Sequence, residues 1–155
     1  MIPDATLKRW IATDPKKHID LWSQANKDHD GDLVPMIKML KGWNRYRDVM
    51  RSFHLETLAL DVFTGITISD FSSGARYFFD KAREKIKYKL ADPSGYSDDV
   101  AAYISTQAQI DEVVGALERA YTRAKDAEAL AAAGKTADAV EKWKLIFGNY
   151  FPAYG

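Results

Sequence analysis

Apolar residues recur along this sequence with the spacing of one helix face, and no other feature constrains the fold as strongly. The clearest example begins at Leu33 and continues through Met36, Ile37, Leu40 and Trp43. No segment alternates apolar and polar side chains as a half-buried strand would. The pattern predicts an all-α fold, with five to seven helices forming a single domain over residues 1–155.

Capping and turn residues divide the chain into helices. Ser, Thr, Asp and Asn favour the position before a helix, Pro its first turn, and Gly the position after its end. The predicted helices run from Asp14-Pro15 to near Asn26, from Leu33, from a cap at Ser52 to Phe63, from a cap at Ser69 or Asp70, from about Asp98 to Ala133, and from a cap at Thr136 to Phe147. Gly134 and Gly148 are expected to end the last two helices, and Asp92-Pro93-Ser94-Gly95 to form a turn.

Helical spacing also predicts which side chains are buried outside the Leu33 helix. The expected core faces contain Ile19, Trp22 and Ala25 in the first helix, and Phe71, Ala75, Phe78, Ala82 and Ile86 in the fourth. Lys81, Lys85 and Lys89 should face water. In the long helix, Ala116, Ala120, Ala124 and Ala127 form a stripe of small residues, which favours close packing of a neighbouring helix that carries Ala139.

Composition excludes several classes of function. The sequence contains no cysteine, which rules out a disulfide framework, a thiolate zinc site and a thiol nucleophile. Lys plus Arg and Asp plus Glu both number 22, so any affinity for anions must come from local clustering. The apolar stretches are far shorter than the roughly 20 residues that span a bilayer. The N-terminal residues lack the pattern of a signal peptide, so we expect a cytoplasmic protein without membrane contact.

Three motifs imitate ligand sites without completing them. Asn26 to Ile37 begins like a calcium loop, but Ile37 stands where the bidentate glutamate is required. Gly134-Lys135-Thr136 matches the end of a phosphate-binding loop, yet Ala129 replaces its first glycine and the flanks are helical. His18, His29 and His54 include no helix-spaced pair that could chelate a metal. We therefore predict no metal site and no catalytic group in these segments.

A basic stripe on the Leu33 helix is the strongest candidate for a binding surface. Lys38, Lys41 and Arg45 lie at i, i+3 and i+7, and Ser52 begins the next helix eleven residues after Lys41. If the two helices pack together, an ammonium group, a hydroxyl and helix N-terminal N–H groups would converge, which suits a polyphosphate. The alternative is a lysine that extends from apolar surface into water, together with an ordinary helix start.

An ordered series of short motifs resembles a known protein family. The series contains Ile2-Pro3-Asp4, Trp10, Thr13-Asp14-Pro15, His18, Leu40-Lys41-Gly42-Trp43-Asn44, Ser52-Phe53-His54-Leu55-Glu56, Asp92-Pro93-Ser94-Gly95, the alanine-rich helix, Trp143, Ile146-Phe147-Gly148 and Phe151-Pro152. It resembles the C-terminal helical domain of the bacterial CD-NTases, the cyclic-oligonucleotide synthases of CBASS antiphage defence. These are relatives of animal cyclic GMP–AMP synthase, oligoadenylate synthase and poly(A) polymerase. The resemblance covers nearly the whole chain.

The resemblance implies a binding role and not a complete enzyme. In that family an α/β core precedes this region and carries a Gly-Ser element and three acidic residues that hold two Mg²⁺ ions. This sequence lacks that pattern, since Gly95 is followed by Tyr96. The resemblance therefore implies a chain that is inactive without a nucleotidyltransferase core. It implies that Lys41 and Ser52 contact the triphosphate of an ATP- or GTP-type nucleotide, that His54 and Glu56 orient the helix, and that Lys38 and Arg45 extend the positive field.

An alternative function remains open at this point. The C-terminal aromatics could make the chain a helical interaction module that docks a regulatory protein or a catalytic core; they are Trp143, Phe147, Tyr150, Phe151 and Tyr154. The first helices could also mediate homo-oligomerisation through Trp10 and Trp22, if surface that normally packs on a core is left uncovered.

Overall fold

Six α-helices form the fold in a computed structural model that describes residues 15–93 and 99–148. They are α1 (Pro15–Asp28), α2 (Leu33–Arg47), α3 (Ser52–Phe63), α4 (Phe71–Lys85), α5 (Gln107–Ala132) and α6 (Thr136–Phe147). These residues contain no strand, so the all-α prediction is confirmed for the described part of the chain. None of these helices combines the length and the hydropathy needed to cross a membrane.

Aromatic side chains from α2, α3 and α4 meet in the centre of the core. Trp43 is fully buried and meets Phe79 edge-on, with ring centroids 5.2 Å apart. Phe63 stacks on Phe78 at 6.3 Å. The predicted core face of α2 is confirmed in full, since every one of its five apolar members is buried. This packing fixes α2 and α3 side by side, and with them the two helices that carry the candidate site.

Helix α5 packs extensively on both α4 and α6. Its four predicted alanines are buried, as is Ala139 on α6, so the prediction of close packing through small residues is confirmed. Gly134, with φ of +80°, ends α5: its N–H donates to Ala131 O at 3.0 Å, and Lys135 N donates to Leu130 O at 2.8 Å. This is the hydrogen-bond pattern of a Schellman C-cap.

Helices α3, α4 and α6 differ in how their first turns are capped. Asp70 caps α4 as predicted, because its Oδ1 accepts from Ser73 N at 2.8 Å. Ser52 and Thr136 were predicted as caps, and both predictions are wrong by one residue. Each is instead the first helical residue, after a cap position at Arg51 or Lys135 that makes no side-chain capping bond. Capping propensity alone does not separate two adjacent positions, because it locates a helix end only to within one or two residues.

The predicted start of α5 at about Asp98 is also wrong. The helix begins at Gln107, where Thr106 and Gln109 form a reciprocal capping box. The preceding residues form turns because Asp99 Oδ1 accepts from Leu90 N at 3.0 Å and from Ala101 N at 2.9 Å. The connector is thereby held against the end of the α4 region and does not extend α5.

The packing shows that several side chains are not buried or exposed as the sequence predicts. Ile19 is 62% exposed, whereas Trp22 and Ala25, later in α1, pack against the core. Phe71 is 39% exposed at the first position of α4, and the buried face of that helix begins at Gly74 and Ala75. Trp143 and Phe147 are buried, so they are core residues and not part of an exposed aromatic surface. Lys81, Lys85 and Lys89 are exposed as predicted.

Candidate functional site

The predicted lysine lies between α2 and α3, in contact with a carboxylate. Lys41 Nζ donates to Glu56 Oε1 at 2.7 Å, and the pair is partly exposed, at 36% for Lys41 and 20% for Glu56. Glu56 follows the exposed Ser52 by four residues on α3, so the two side chains share one side of that helix. The structure thus brings Lys41 to the helix side that carries Ser52, with its charge compensated by Glu56.

The turn between α2 and α3 sets the position of these groups. Asn44 is buried, and its Nδ2 donates to Met50 O at 2.6 Å. Its Oδ1 accepts from Met50 N at 3.0 Å and from Val49 N at 3.3 Å. These bonds satisfy the backbone of a tight turn in which Asp48 adopts a left-handed conformation, with φ of 55°. Asn44 therefore positions Lys41 relative to Ser52 without facing a ligand.

Lys38 and Arg45 flank Lys41 on α2, and both are exposed. Each is about one helical turn away from Lys41, which is the spacing of neighbours on a helix surface. The basic stripe predicted from the sequence is therefore present on the helix. Lys38 and Arg45 can contribute to the electrostatic potential around Lys41. The basic residue of this stripe that pairs with Glu56 is Lys41.

The start of α3 is held by a residue from a distant part of the chain. The Tyr103 hydroxyl accepts from Arg51 N at 3.0 Å and lies 2.7 Å from His54 Nδ1. The hydroxyl and the ring nitrogen share one hydrogen bond, whose direction is set by the imidazole tautomer. The two rings also meet edge-on at 5.4 Å. Tyr103 therefore satisfies the backbone N–H of Arg51, the residue at the cap position of α3.

His54 is neutral in this arrangement. It is 1% exposed, and burial lowers the pKa of its imidazole from 6.5 to about 4, against the opposing effect of the Asp99 charge. His54 thus anchors α3 to the connector before α5, and its ring is turned into the protein and not towards solvent.

Arg51 also lies at the candidate site, and the sequence patterns did not single it out. It immediately precedes Ser52, is exposed, and places its guanidinium carbon 4.6 Å from the centroid of the Tyr103 ring. The sequence distance between the two residues is 52, so no local pattern links them. A basic residue directly before the predicted Ser52 cap was the available signal.

The described residues contain no group of three or more His, Asp or Glu side chains arranged to hold a metal ion. Asp92 is buried at the start of the predicted Asp92–Gly95 turn, while Ser94 and Gly95 lie outside the described residues. Ammonium, guanidinium and hydroxyl groups dominate the α2–α3 surface. Their chemistry suits the oxygens of an anion and not the coordination of a metal.

Comparison with known proteins gives two relatives. No protein-family profile matches the chain. It is 27% identical over 157 residues to a probable cyclic nucleotide synthase of Bacillus cereus, an alignment that covers 99% of this chain and 46% of the relative. It is also 27% identical over 170 residues to a cyclic AMP-AMP-AMP synthase of an Acinetobacter species, covering 98% of this chain and 46% of the relative. The resemblance to cyclic-oligonucleotide synthases predicted from the motifs is confirmed, and the chain spans about half the length of these relatives.

Proposed function

We propose that this chain is the nucleotide-binding helical half of a nucleotidyltransferase that makes cyclic or linear oligonucleotide second messengers in antiviral defence. Lys41 and Ser52 contact the triphosphate of the donor nucleotide. The observation that carries the proposal is the placement of Lys41 on the Ser52 side of α3, in a chain similar over almost its full length to cyclic nucleotide synthases.

The groups of this site act by binding and orientation. Lys41 supplies a compact positive charge, and Ser52 a hydroxyl that donates to a phosphate oxygen. The first N–H groups of α3 point the same way as the helix dipole and add to the attraction for an anion. In phosphoryl transfer, holding the phosphates in line with the attacking group is a large part of catalysis. The chain's contribution is this positioning.

Two Mg²⁺ ions would supply the charge neutralisation that phosphoryl transfer requires. The described residues do not fit such a metal site, since they contain no cluster of three acidic or histidine ligands. The proposal therefore assigns the metal ligands to a catalytic core that binds this helical half, and it assigns no turnover to the described residues.

The interaction-module alternative loses part of its basis. Trp143 and Phe147 are core residues, with 8% and 2% exposure, and are not available to a partner. Tyr150, Phe151 and Tyr154 lie outside the described residues. No contact in the described part of the chain favours this function over nucleotide binding.

Calorimetric titration of Mg-ATP and Mg-GTP into the chain tests the proposal. We expect weak binding that is lost in Lys41→Ala and reduced in Ser52→Ala. Lys85→Ala is the matched control, because Lys85 also pairs with a carboxylate of α3, Asp61, at 2.9 Å. Equal affinities in all variants would contradict the proposal, as would full product formation by an intact synthase that carries both Lys41→Ala and Ser52→Ala.

A further inference from the structure

The ion pair with Glu56 reduces the positive charge that Lys41 can offer to a ligand. Glu56 lies 2.7 Å from Lys41, so the two side chains together contribute little net charge. A triphosphate with one bound Mg²⁺ still carries net negative charge, and a nearby carboxylate repels it. A cation beside Ser52 that no described carboxylate neutralises would therefore strengthen binding at this surface.

Arg51 is such a cation. Among the described residues it has no carboxylate within ion-pairing distance, whereas Arg76 pairs with Glu128 and Arg83 with Asp80, each at 2.8 Å. Its side chain is exposed, and the residue is the direct neighbour of Ser52. An arginine that satisfies its charge on no acidic group retains its N–H donors for an external anion.

Tyr103 restricts where this guanidinium can go. The guanidinium carbon lies 4.6 Å from the centroid of the Tyr103 ring, within the range of a cation–π contact. The ring itself is fixed, because its hydroxyl bonds both Arg51 N and His54 Nδ1. A guanidinium stacked on a fixed ring loses less conformational freedom on binding than a free one, and this favours affinity. The contact therefore prepares Arg51 for bidentate recognition of a phosphate.

From these contacts we infer that Arg51, held on the Tyr103 ring, is a third residue that binds the triphosphate, beside Lys41 and Ser52. The inference rests on the proposed function and extends it. Lys41 and Ser52 hold the anion from the α2–α3 side, and Arg51 adds the uncompensated charge at the first turn of α3. The ligand chemistry is that of the polyphosphate, whatever base it carries.

The test measures binding of Mg-ATP and of inorganic tripolyphosphate to the wild-type chain and to Arg51→Ala and Arg51→Lys. We expect Arg51→Ala to weaken both ligands by about 10-fold, the size of one charge-assisted hydrogen bond. Arg51→Lys should restore part of this affinity, because it keeps the charge but loses the planar fork. Equal loss for both ligands assigns Arg51 to the phosphates and not to the base.

The control is Arg119→Ala, which removes an exposed arginine of α5 and changes net charge by the same amount. Urea unfolding of each variant checks that the fold is intact. Wild-type affinity in Arg51→Ala together with lost affinity in Lys41→Ala would overturn this inference and leave the proposed function standing. Unchanged affinity in both variants, or no binding by the wild-type chain, would overturn both. If Arg51→Ala and Arg119→Ala lowered the affinity equally, the loss would reflect the net charge of the protein and not a contact of Arg51, and the inference would be rejected.

Discussion

Lys41 on α2 and Glu56 on α3 form an ion pair in which Nζ and Oε1 are 2.7 Å apart. The same lysine is the residue proposed to bind a triphosphate, so Glu56 and the ligand compete for one ammonium group. The pair is partly exposed, and pairs of this kind contribute only about 0.2–1 kcal/mol. A multiply charged ligand can therefore displace Glu56 at small cost.

This competition predicts that Glu56→Gln strengthens binding of Mg-ATP. The substitution removes the carboxylate that neutralises Lys41 and repels phosphate, and the expected gain is about 1.5- to 5-fold. Calorimetric titration measures it. Asp61→Asn is the control. Asp61 lies on α3 like Glu56, and its substitution releases Lys85 of α4 from an ion pair of similar length. Weaker binding in Glu56→Gln would show that the carboxylate holds Lys41 in its binding position.

Burial of His54 predicts a pH-dependent stability. The pKa of this histidine is lowered from 6.5 to about 4 in the folded protein, so between these values the unfolded chain binds more protons than the native one. Its contribution is fully present above pH 6.5 and is lost as the pH falls towards 4. The total loss is on the order of 3 kcal/mol.

Urea unfolding of the wild type and of His54→Gln at several pH values measures this contribution. Glutamine can still accept from Tyr103 but does not titrate. The free energy of unfolding of the wild type should therefore approach that of the variant as the pH falls from 6.5 to 4. Parallel curves across that range would mean that His54 does not become protonated on unfolding.

Removing the Tyr103 hydroxyl should destabilise the fold. Tyr103→Phe leaves the buried Nδ1 of His54 without its hydrogen-bond partner and Arg51 N without its acceptor, at a cost of about 1–3 kcal/mol. The denaturation midpoint in urea reports the change. Tyr88→Phe, at a side chain that is 70% exposed, is the matched control and should leave the midpoint unchanged. Equal midpoints for both variants would exclude a capping role for Tyr103.

Gly148 should tolerate no side chain. Its backbone has φ of 65° and ψ of −147°, a region populated almost only by glycine, and an added Cβ would lie 2.7 Å from the Tyr46 ring. We expect Gly148→Ala to lower stability by about 1–3 kcal/mol or more. Gly134→Ala has a similar φ of +80° with open space around the new Cβ, so it measures backbone strain alone. A smaller loss at Gly148 than at Gly134 would contradict the predicted clash.

Self-association through the first helices remains a prediction. Ile19 is 62% exposed on α1, while Trp22 packs against Phe53 with ring centroids 6.4 Å apart. Trp10 lies outside the described residues. If α1 forms the contact, Ile19→Glu should lower the dimer fraction in analytical ultracentrifugation, whereas Tyr88→Glu, at an exposed residue beyond α4, should not. A wild-type chain that is monomeric at high concentration would end this prediction.

The sequence alone determined the features that depend on neighbours within one or two turns. The spacing of Leu33, Met36 and Leu40 predicted the buried face of α2, the α4 cap was narrowed to Ser69 or Asp70, and the Gly134 and Gly148 helix ends were correctly predicted. These signals are local because helix hydrogen bonds join residues four apart, and a cap bonds the first turn of its own helix.

Only the tertiary structure decided how the candidate site is assembled. Tyr103 reaches Arg51 and His54 across about fifty residues, and the cap position of α3 is Arg51 and not Ser52. The motifs gave Lys41 and Glu56 individually, but their 2.7 Å contact depends on the turn fixed by Asn44. Likewise, helical periodicity could not predict that Ile19 of α1 and Phe71 of α4 are exposed, although both lie on the apolar faces of their helices. The physical reason is the same in each case: a helix pattern fixes which face a side chain occupies, whereas the partner opposite that face comes from packing between segments distant in the chain.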